Sequence, residues 1–388
     1  MKKIPKLRFK EFKDDWQREK LYYLSELIKD GTHGTHKDVK NGIFLLSAKD
    51  IKDGKIQIQK DCRKISFNDF CKIHKNYILQ NKDLLLTIVG TIGEVGMVEN
   101  YNRNYTFQRS VAIIRLQKQK LNPKYGLQYF KTNIFQTFLK NKTNSSAQAG
   151  VYLGELSKID MSFPSLEEQK KIADFLSSVD VKINLTEKKL ELLKEYKKGI
   201  MQKIFNQELR FKDENGNIYP MWKNKKLGEL CKITTGKLDA NAMVENGIYR
   251  FYTCAKEFYF INEYAFDTEA LLISGNGANV GYIHYYKGKF NAYRRTYILD
   301  NFYENILFIK YILEKNLKTR IEKEKNSGNT PYIVLSVLTD MELKIPCLEE
   351  QQKIADFLSS IDNKIEKISY ELENLKEFKK GLLQQMFV

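Results

Sequence analysis

The sequence contains the same long segment twice, as PSLEEQKKIADFLSSVDVKINLTEKKLELLKEYKKGIMQKIF at residues 164–205 and as PCLEEQQKIADFLSSIDNKIEKISYELENLKEFKKGLLQQMF at residues 346–387. The copies lie at a fixed offset of 182 residues, and roughly 26 of about 42 aligned positions are identical, far above chance. A weaker match, LRFK, begins at Leu7 and again at Leu209, and a tryptophan follows each time. The chain therefore alternates between a globular segment and a repeat, twice over.

Each copy predicts a long helix with one apolar face. Hydrophobic residues recur at alternating steps of four and three over four heptads, interrupted at Thr186, Lys197 and Lys379, and this spacing is typical of a coiled-coil seam. Pro164 and Pro346 lie just ahead of the helices, where proline is tolerated. The predicted seam consists of Ile172, Leu176, Val179, Ile183, Leu190, Leu193, Ile200, Ile354, Leu358, Ile361, Ile365, Leu372, Leu375 and Leu382.

The simplest partner for each seam is the other copy, although each helix could instead pack on its own globular segment. Two copies joined through a globular segment would pair antiparallel, with a pseudo-twofold relation and with the chain termini close together. We therefore predict a mixed α+β fold, with two globular domains separated by two long antiparallel coiled-coil helices. The domains are placed at residues 1–163 and 206–345, and the helices at 164–205 and 346–388.

The charge balance favours an anionic partner. The chain of 388 residues holds 65 Lys and Arg against 48 Asp and Glu, a net charge of +17. Residues 1–163 account for about +14 of this excess, so it is concentrated in the first globular segment. Nucleic acid is the first candidate and a membrane surface the second. We expect no membrane span and no signal peptide, because no apolar run approaches the roughly 18 residues required, and hence a cytoplasmic protein.

Metal and cofactor chemistry find little support in the sequence. Cys71 and His74 are three residues apart, as are His33 and His36, but the spacing between the pairs matches no zinc-ligand pattern. The turn GNGANVG at 275–281 leads into YIHYYKGKF, which predicts a strand, whereas a cofactor loop should open a helix. Phosphate-loop, HExxH and GxSxG motifs are absent from the sequence. We expect no metal, no bound cofactor and no catalysis by this chain.

The chain resembles the DNA-specificity subunits of type I restriction–modification systems over essentially its whole length. The resemblance is carried by both copies of P-x-L-E-E-Q-x-K-I-A-D-F-L-S-S-[VI]-D, by the LRF after the first helix, and by DGTHGTH at 30–36 followed by GIFLLSAKDIKDGKI. It implies two target-recognition domains, each reading one half of a bipartite asymmetric site in double-stranded DNA. It also implies that the paired helices fix the spacer between the halves.

The same resemblance implies the partners. Two modification subunits would dock on the helices and methylate adenine with S-adenosylmethionine, and restriction subunits would translocate and cut DNA using ATP and magnesium. The specificity subunit itself would not be catalytic. The second globular segment departs from the pattern, because it has TTGKLDAN at 234–241 where the first has the DGTH stretch.

Candidate DNA contacts are polar and basic residues in glycine-rich turns at the ends of predicted strands. The alternative is that many of them only form turns or carry surface charge. In the first domain they are Thr32, His33, Thr35, His36, Lys37, Lys49, Gln108 and Arg109. In the second they are Thr235, Lys237, Asn276, Asn279, Tyr293, Arg294 and Arg295.

Two other functions compete with a sequence-reading subunit. A self-contained nuclease or methyltransferase is disfavoured by the missing motifs. A coiled-coil scaffold that binds nucleic acid without sequence preference would show binding that falls steeply with salt and is indifferent to sequence.

Overall fold

The structure is a computed structural model that describes residues 4–52, 54–143, 150–323 and 331–388. The chain divides into two compact units. Unit 1 consists of Met1–Glu187 with Glu371–Val388, and unit 2 of Lys188–Tyr370. The unit boundaries fall inside the two long helices, so each helix contributes to both units. The domain boundaries drawn from the sequence at the helix ends stay a prediction.

Unit 1 combines small sheets with short helices. Its strands are β1 Gln17–Lys20, β2 Ser25–Asp30, β3 Ile43–Leu46, β4 Ile51–Lys52, β5 Lys55–Ile56, β6 Lys64–Ile65, β7 Leu84–Thr87, β8 Val95–Met97, β9 Tyr105–Phe107, β10 Val111–Leu116 and β11 Asp160–Phe163. Its short helices are α1 Phe67–Ile73, α2 Pro123–Phe130, α3 Asn133–Lys142 and α4 Leu153–Leu156, and α5 Leu166–Phe205 begins here. One sheet has the order β2-β10-β7-β8 and another β6-β3-β9, while β1 pairs with β11 and β4 with β5.

Unit 2 is built around one larger sheet. Its strands are β12 Lys223–Lys226, β13 Lys232–Thr235, β14 Tyr249–Tyr252, β15 Tyr259–Ile261, β16 Phe266–Ser274, β17 Ile283–Ala292, β18 Thr296–Asp300 and β19 Glu342–Ile345. Its helices are α6 Leu227–Leu230, α7 Ile306–Lys323, α8 Leu335–Thr339 and the first part of α9 Leu348–Gln385. The sheet order is β13-β18-β16-β17-β14-β15, and β12 pairs with β19.

The two units share one topology despite their different sequences. The order β2-β10-β7-β8 in unit 1 corresponds to β13-β18-β16-β17 in unit 2. In unit 1, β3 pairs in parallel with β9, and in unit 2, β14 pairs in parallel with the end of β17. Because β17 is long enough to serve both as β8 and as β9, the two sheets of unit 1 become a single sheet in unit 2. The predicted mixed α+β fold with two globular domains and long coiled-coil helices is confirmed.

The long helices are continuous and run antiparallel where they pair. They pass through Gly199 and Gly381 without a break. In unit 1, Asp180 forms an ion pair with Lys379, and Glu187 forms one with Lys376 at 2.6 Å. Residue numbers therefore increase along α5 while those of their partners on α9 decrease, as in an antiparallel pair. All of the seam residues named from the sequence are buried or half-buried.

The polar interruptions of the seam have partners. In unit 2 the Nζ of Lys197 lies 2.7 Å from Oδ1 of Asp362, and in unit 1 Lys379 pairs with Asp180. Lysine and aspartate occupy the same positions in both copies of the repeat, so the two contacts are reciprocal. Thr186, the third interruption, is 5% exposed and donates its hydroxyl to the carbonyl of Lys182 at 2.9 Å.

The E-E-Q present in both copies of the repeat joins each long helix to the neighbouring LRFK segment. In unit 1, Arg8 donates from Nε and Nη2 to the carboxylate of Glu168 at 2.8 and 2.7 Å. In unit 2, Arg210 binds Glu350 in the same bidentate way at 3.0 and 2.7 Å. Both carboxylates are almost completely buried. The repeat therefore encodes a buried ion pair as well as a helix.

The glutamine of the same motif holds the start of a helix. Gln169 accepts a hydrogen bond from the backbone of Asn122, which caps α2, at 2.8 Å. Gln351 accepts one from the backbone of Asn305 at 2.9 Å, just ahead of α7. Helix starts carry unpaired backbone N–H groups, and these contacts help fix them.

The two ends of the chain meet in unit 1. The backbone N–H of Leu7 donates to the carbonyl of Gln385 at 2.9 Å, and the ring of Phe387 packs against Tyr125 and Tyr129. In unit 2, Phe205, the matching residue of the first repeat, packs against Trp222. The prediction of neighbouring termini is confirmed.

Candidate nucleic-acid interface

In unit 1 the candidate residues lie on two backbone segments that touch. Strand β2 ends at Asp30, and the chain then passes so close to Phe107 that a Cβ on Gly31 would lie 2.1 Å from the Phe107 carbonyl oxygen. The next residue, Thr32, donates its N–H to that carbonyl at 2.8 Å and accepts one from the N–H of Arg109 at 3.0 Å. Only glycine allows this approach, and it brings the DGTHGTH loop against the Gln108–Arg109 turn.

Side-chain contacts order the first part of this loop. The imidazole Nε2 of His33 lies 2.5 Å from Oδ2 of Asp30, and Nε2 of His36 lies 2.9 Å from the hydroxyl of Thr32. On its other side, Nδ1 of His36 is 3.9 Å from a carboxylate oxygen of Asp69. His33 stays mostly exposed while His36 is half-buried. The loop thus presents His33 outward and uses His36 to hold its shape.

The remaining candidates of unit 1 are exposed or half-exposed around this contact. Thr35, Lys37, Lys49 and Arg109 are exposed, and Gln108 is half-buried. The loop that carries Lys49 is tied to the same turn, because the N–H of the preceding residue donates to Oγ of Ser110 at 3.1 Å. The structure therefore places the unit 1 candidates on two loops, 32–37 and the Lys49 loop, that both contact the turn carrying Gln108 and Arg109.

Unit 2 builds a similar contact from different residues. A Cβ on Gly236 would lie 2.0 Å from the carbonyl oxygen of Ala292, and the N–H of Arg294 donates to the carbonyl of Leu238 at 2.9 Å. The guanidinium of Arg294 lies 3.1 Å from Oδ1 of Asp239 in an exposed ion pair. These contacts repeat those at Gly31 and Arg109, although the loop sequences share little beyond the glycine.

The glycine-rich turn of unit 2 lies beside the same cluster. The N–H of Gly275 donates to the carbonyl of Arg295 at 2.8 Å. Asn276 forms a bridge with Tyr332, and Nδ2 of Asn279 donates to the carbonyl of Cys254 at 3.1 Å. The turn leads into β17, so the predicted strand is confirmed. The side-chain amide of Asn279 thus binds a backbone carbonyl, which gives this side chain a structural role.

The other unit 2 candidates surround this turn. Thr235 ends β13 and is exposed, as are Lys237, Arg294 and Arg295, while Tyr293 is half-buried. Tyr293 forms a parallel bridge with Leu238, just as Gln108 does with Thr32 in unit 1. The structure brings the unit 2 candidates together as well.

One exposed aromatic residue beside the unit 1 cluster escaped the sequence analysis. Tyr152 is 68% exposed and lines a cleft of about 560 Å³ together with Asp30, His33 and Arg109. Val89 and Gly150, which also line the cleft, form an antiparallel bridge just ahead of Tyr152. Nothing in the local sequence pattern marks Tyr152, because its position depends on this non-local bridge.

The structure offers no grouping suited to a metal ion in the ranges that it describes, where no three His, Cys, Asp or Glu side chains come together. His74 uses both ring nitrogens, with the carbonyl of Tyr77 at 3.1 Å and the hydroxyl of Thr106 at 3.0 Å. Burial lowers its pKa, which favours the neutral ring. Among the described residues, no helix is both long and apolar enough to cross a membrane.

Comparison with known proteins places the chain in a family. A family model for the type I restriction modification DNA specificity domain matches residues 13–195 and 220–377, which is most of the chain. The chain belongs to the type I restriction–modification DNA-specificity family. The two matched regions correspond to the two halves of the internal repeat.

Individual relatives agree with this assignment. The chain is similar to the EcoDI specificity subunit of a type I restriction enzyme from Escherichia coli, with 40% identity over 172 residues, covering 43% of this chain and 38% of that protein. It is similar along nearly its whole length to a putative MjaX specificity subunit from Methanocaldococcus jannaschii, with 28% identity over 403 residues, covering 96% of this chain and 93% of that protein.

Solved structures share the fold. The chain matches the S subunit of a type I restriction-modification system from M. genitalium with a TM-score of 0.67 and 17% identity, covering 100% of this chain and 99% of that one. A chain from a structure of a type I R-M system, described for its complex assembly and conformational transition, matches with a TM-score of 0.52, 15% identity and coverage of 96% and 97%.

Proposed function

We propose that this chain is the DNA-recognition subunit of a type I restriction–modification complex and that each unit reads one half of a bipartite, asymmetric duplex site. The observation that carries the proposal is the repeated loop contact, built on Gly31 in unit 1 and on Gly236 in unit 2. The backbone scaffold is the same, but the side chains that it presents differ. Two units that share this backbone contact but present different side chains suit a DNA target whose two halves differ in sequence.

The side chains presented at these contacts are suited to duplex DNA. Arginine can donate two hydrogen bonds to the edge of guanine in the major groove, and Arg109 and Arg294 occupy corresponding positions in the two units. The ion pair between Arg294 and Asp239 does not prevent this use. Its two side chains are 59% and 60% exposed, and exposed pairs contribute only about 0–1 kcal/mol. Arg294 can therefore exchange Asp239 for a base edge at low cost.

We assign the paired helices two roles, to set the spacer between the half-sites and to dock modification subunits. In unit 1, Val181, Leu185 and Phe378 are 54–61% exposed on the helix surface. In unit 2, Leu192, Tyr196 and Tyr370 are 52–67% exposed. Apolar side chains on a helix that already has a buried seam favour a second helical partner. The partners would be two methyltransferase subunits.

Chemistry would then reside in the partner subunits. The modification subunits would hold S-adenosylmethionine and methylate adenine, and the restriction subunits would use ATP and magnesium. This chain would act as a non-catalytic subunit in the cytoplasm, where it would meet DNA.

A methylation map tests the proposal. The chain is co-expressed with its cognate methyltransferase subunit, and host DNA is sequenced for modified adenine. We expect one bipartite motif that is absent when this chain is omitted. A soluble complex that binds DNA with steep salt dependence but leaves no motif, and selects none from a random duplex library, would favour the scaffold function and refute ours.

A further inference from the structure

The Lys49 loop of unit 1 has a fixed relation to the recognition turn. It follows β3, whose last residue, Leu46, accepts a hydrogen bond from the N–H of Gln108 at 2.8 Å. Two residues further on, the N–H of Ala48 donates to Oγ of Ser110 at 3.1 Å. The backbone of Gln108 and the side chain of Ser110 therefore hold the loop in place, while the Lys49 side chain is exposed.

A loop of unit 2 has the same relation to its own turn. It follows β14, whose last residue, Tyr252, accepts a hydrogen bond from the N–H of Tyr293 at 2.9 Å. Further along, Sγ of Cys254 donates to the carbonyl of Arg295 at 3.4 Å. The first contact matches the one between Leu46 and Gln108. The second also joins the loop to the turn, through a thiol and a carbonyl where unit 1 uses a backbone N–H and a hydroxyl. The sequence AKE at 255–257 then matches AKD at 48–50 after one inserted residue, so Lys256 corresponds to Lys49.

The unit 2 loop is also anchored from the side of the sheet. The Nε2–H of His284 donates to the carbonyl of Ala255 at 2.9 Å, and the amide of Asn279 donates to the carbonyl of Cys254 at 3.1 Å. Burial lowers the pKa of His284, which keeps its ring neutral, although the bond to Ala255 acts in the opposite direction. Side-chain contacts of Cys254, Asn279 and His284 thus fix a short loop beside the recognition turn, and among residues 253–256 only Lys256 is exposed.

The exposed residue at the end of this anchored loop is a cation. Lys256 is exposed, and within the described ranges it forms no ion pair. A fixed backbone beneath a mobile ammonium group is suited to a phosphate, because lysine binds phosphate as a point charge and does not need a set angle. The residue is absent from the DNA-contact candidates taken from the sequence.

We propose that Thr253–Lys256 is a further DNA-contacting loop of unit 2 and that Lys256 binds a backbone phosphate of the half-site that this unit reads. The inference rests on the proposed function, since it presupposes that the Tyr293–Arg295 turn faces DNA. A phosphate contact positions the unit on the duplex but does not choose its bases. Replacing Lys256 should therefore lower the affinity for every DNA sequence by the same factor.

The test measures how binding depends on salt. The complex of this chain with its methyltransferase subunit is titrated with two duplexes, one carrying the methylated motif and one with that motif scrambled, from 0.05 to about 0.2 M salt. Lys256→Gln is compared with Lys256→Arg, which keeps the charge, and with Lys344→Gln, an exposed lysine on β19 that lies apart from the turn in sequence and topology.

We expect Lys256→Gln to weaken binding to both duplexes by about eightfold at 0.1 M salt and to reduce the slope of log affinity against log salt by about one unit. Lys256→Arg and Lys344→Gln should leave the slope unchanged. If Lys256→Gln keeps the wild-type slope, or alters the methylated motif, the phosphate assignment is wrong while the proposed function stands. If the wild-type complex does not distinguish the two duplexes, the proposed function fails and the inference fails with it.

Discussion

Replacing Arg210 with methionine should destabilise unit 2 strongly. Arg210 makes a bidentate contact with Glu350, whose side chain is 0% exposed. Without the guanidinium, the carboxylate keeps one side-chain donor, Nε1 of Trp222 at 3.0 Å, and otherwise remains an uncompensated buried charge. Removing one partner of a buried ion pair costs about 3–5 kcal/mol. For a unit of this size, that corresponds to a fall of roughly 6–20 °C in melting temperature.

The protein carries a convenient reporter for this experiment. It has two tryptophans, and one of them, Trp222, is 8% exposed and contacts Glu350 directly. Trp16 belongs to unit 1, and its indole N–H has no hydrogen-bond partner in the described residues, so Trp16→Phe removes no hydrogen bond. In that background, urea unfolding followed by fluorescence reports on unit 2, and the free energy of unfolding is compared between variants.

Two controls make the result specific. Arg294→Met removes an arginine of the same unit from an exposed pair with Asp239, and we expect it to change the free energy of unfolding by less than about 1 kcal/mol. Adding Glu350→Gln to Arg210→Met removes the buried charge and keeps an acceptor for Trp222, so it should recover at least half of the loss. A loss below about 1 kcal/mol for the single variant, or no recovery in the double variant, would refute the reasoning.

Three further predictions concern the helices and the loops. Burial would raise the pKa of Asp180, but Lys131 and Lys379 outweigh it and lower the pKa. The group thus stabilises the fold above its unfolded pKa near 4 and loses this contribution as pH falls. The free energies of unfolding of wild type and Asp180→Asn should differ by about 1–2 kcal/mol at pH 7, and this difference should shrink as the pH falls below about 4; a difference that stays constant down to about pH 2 contradicts this. Gly31→Ala should weaken DNA binding by the complex at least tenfold, because its Cβ would overlap the carbonyl of Phe107, and wild-type affinity would show that the close approach is unnecessary. Lengthening both long helices by one turn, about 5.4 Å, should widen the spacer in the methylation motif and leave both half-sites unchanged, whereas an unaltered spacer would contradict the ruler role.

The repeat made the helical part of the fold predictable. Heptad spacing and the 182-residue offset were sufficient for the long helices, their antiparallel pairing and the closeness of the termini. The polar interruptions could be located but not interpreted, because the partner of Lys197 is Asp362, far along the chain. A heptad pattern identifies which residues are buried, but it does not identify which residue faces each of them.

The loop clusters were only partly predictable. Gly31 and Gly236 hold equivalent places, yet their surroundings differ so much in sequence that the equivalence appears only through backbone hydrogen bonds. Asn279 has the residue type of a base reader, but its amide is used to fix a loop. Lys256 was missed because one inserted residue hides its match to Lys49. The single sheet of unit 2 was not predictable either, because no local sequence feature marks a strand order that merges two sheets into one.

The central claim is that each unit reads its own half of the target, and one comparison tests it most directly. Methylation motifs are mapped for the wild-type chain and for Arg109→Ala and Arg294→Ala, each co-expressed with the methyltransferase subunit. A base-reading arginine contributes about 1–3 kcal/mol at one position, so we expect Arg109→Ala to relax or abolish recognition in one half-site and Arg294→Ala in the other. If both variants keep the wild-type motif, or both change the same half, the account is contradicted.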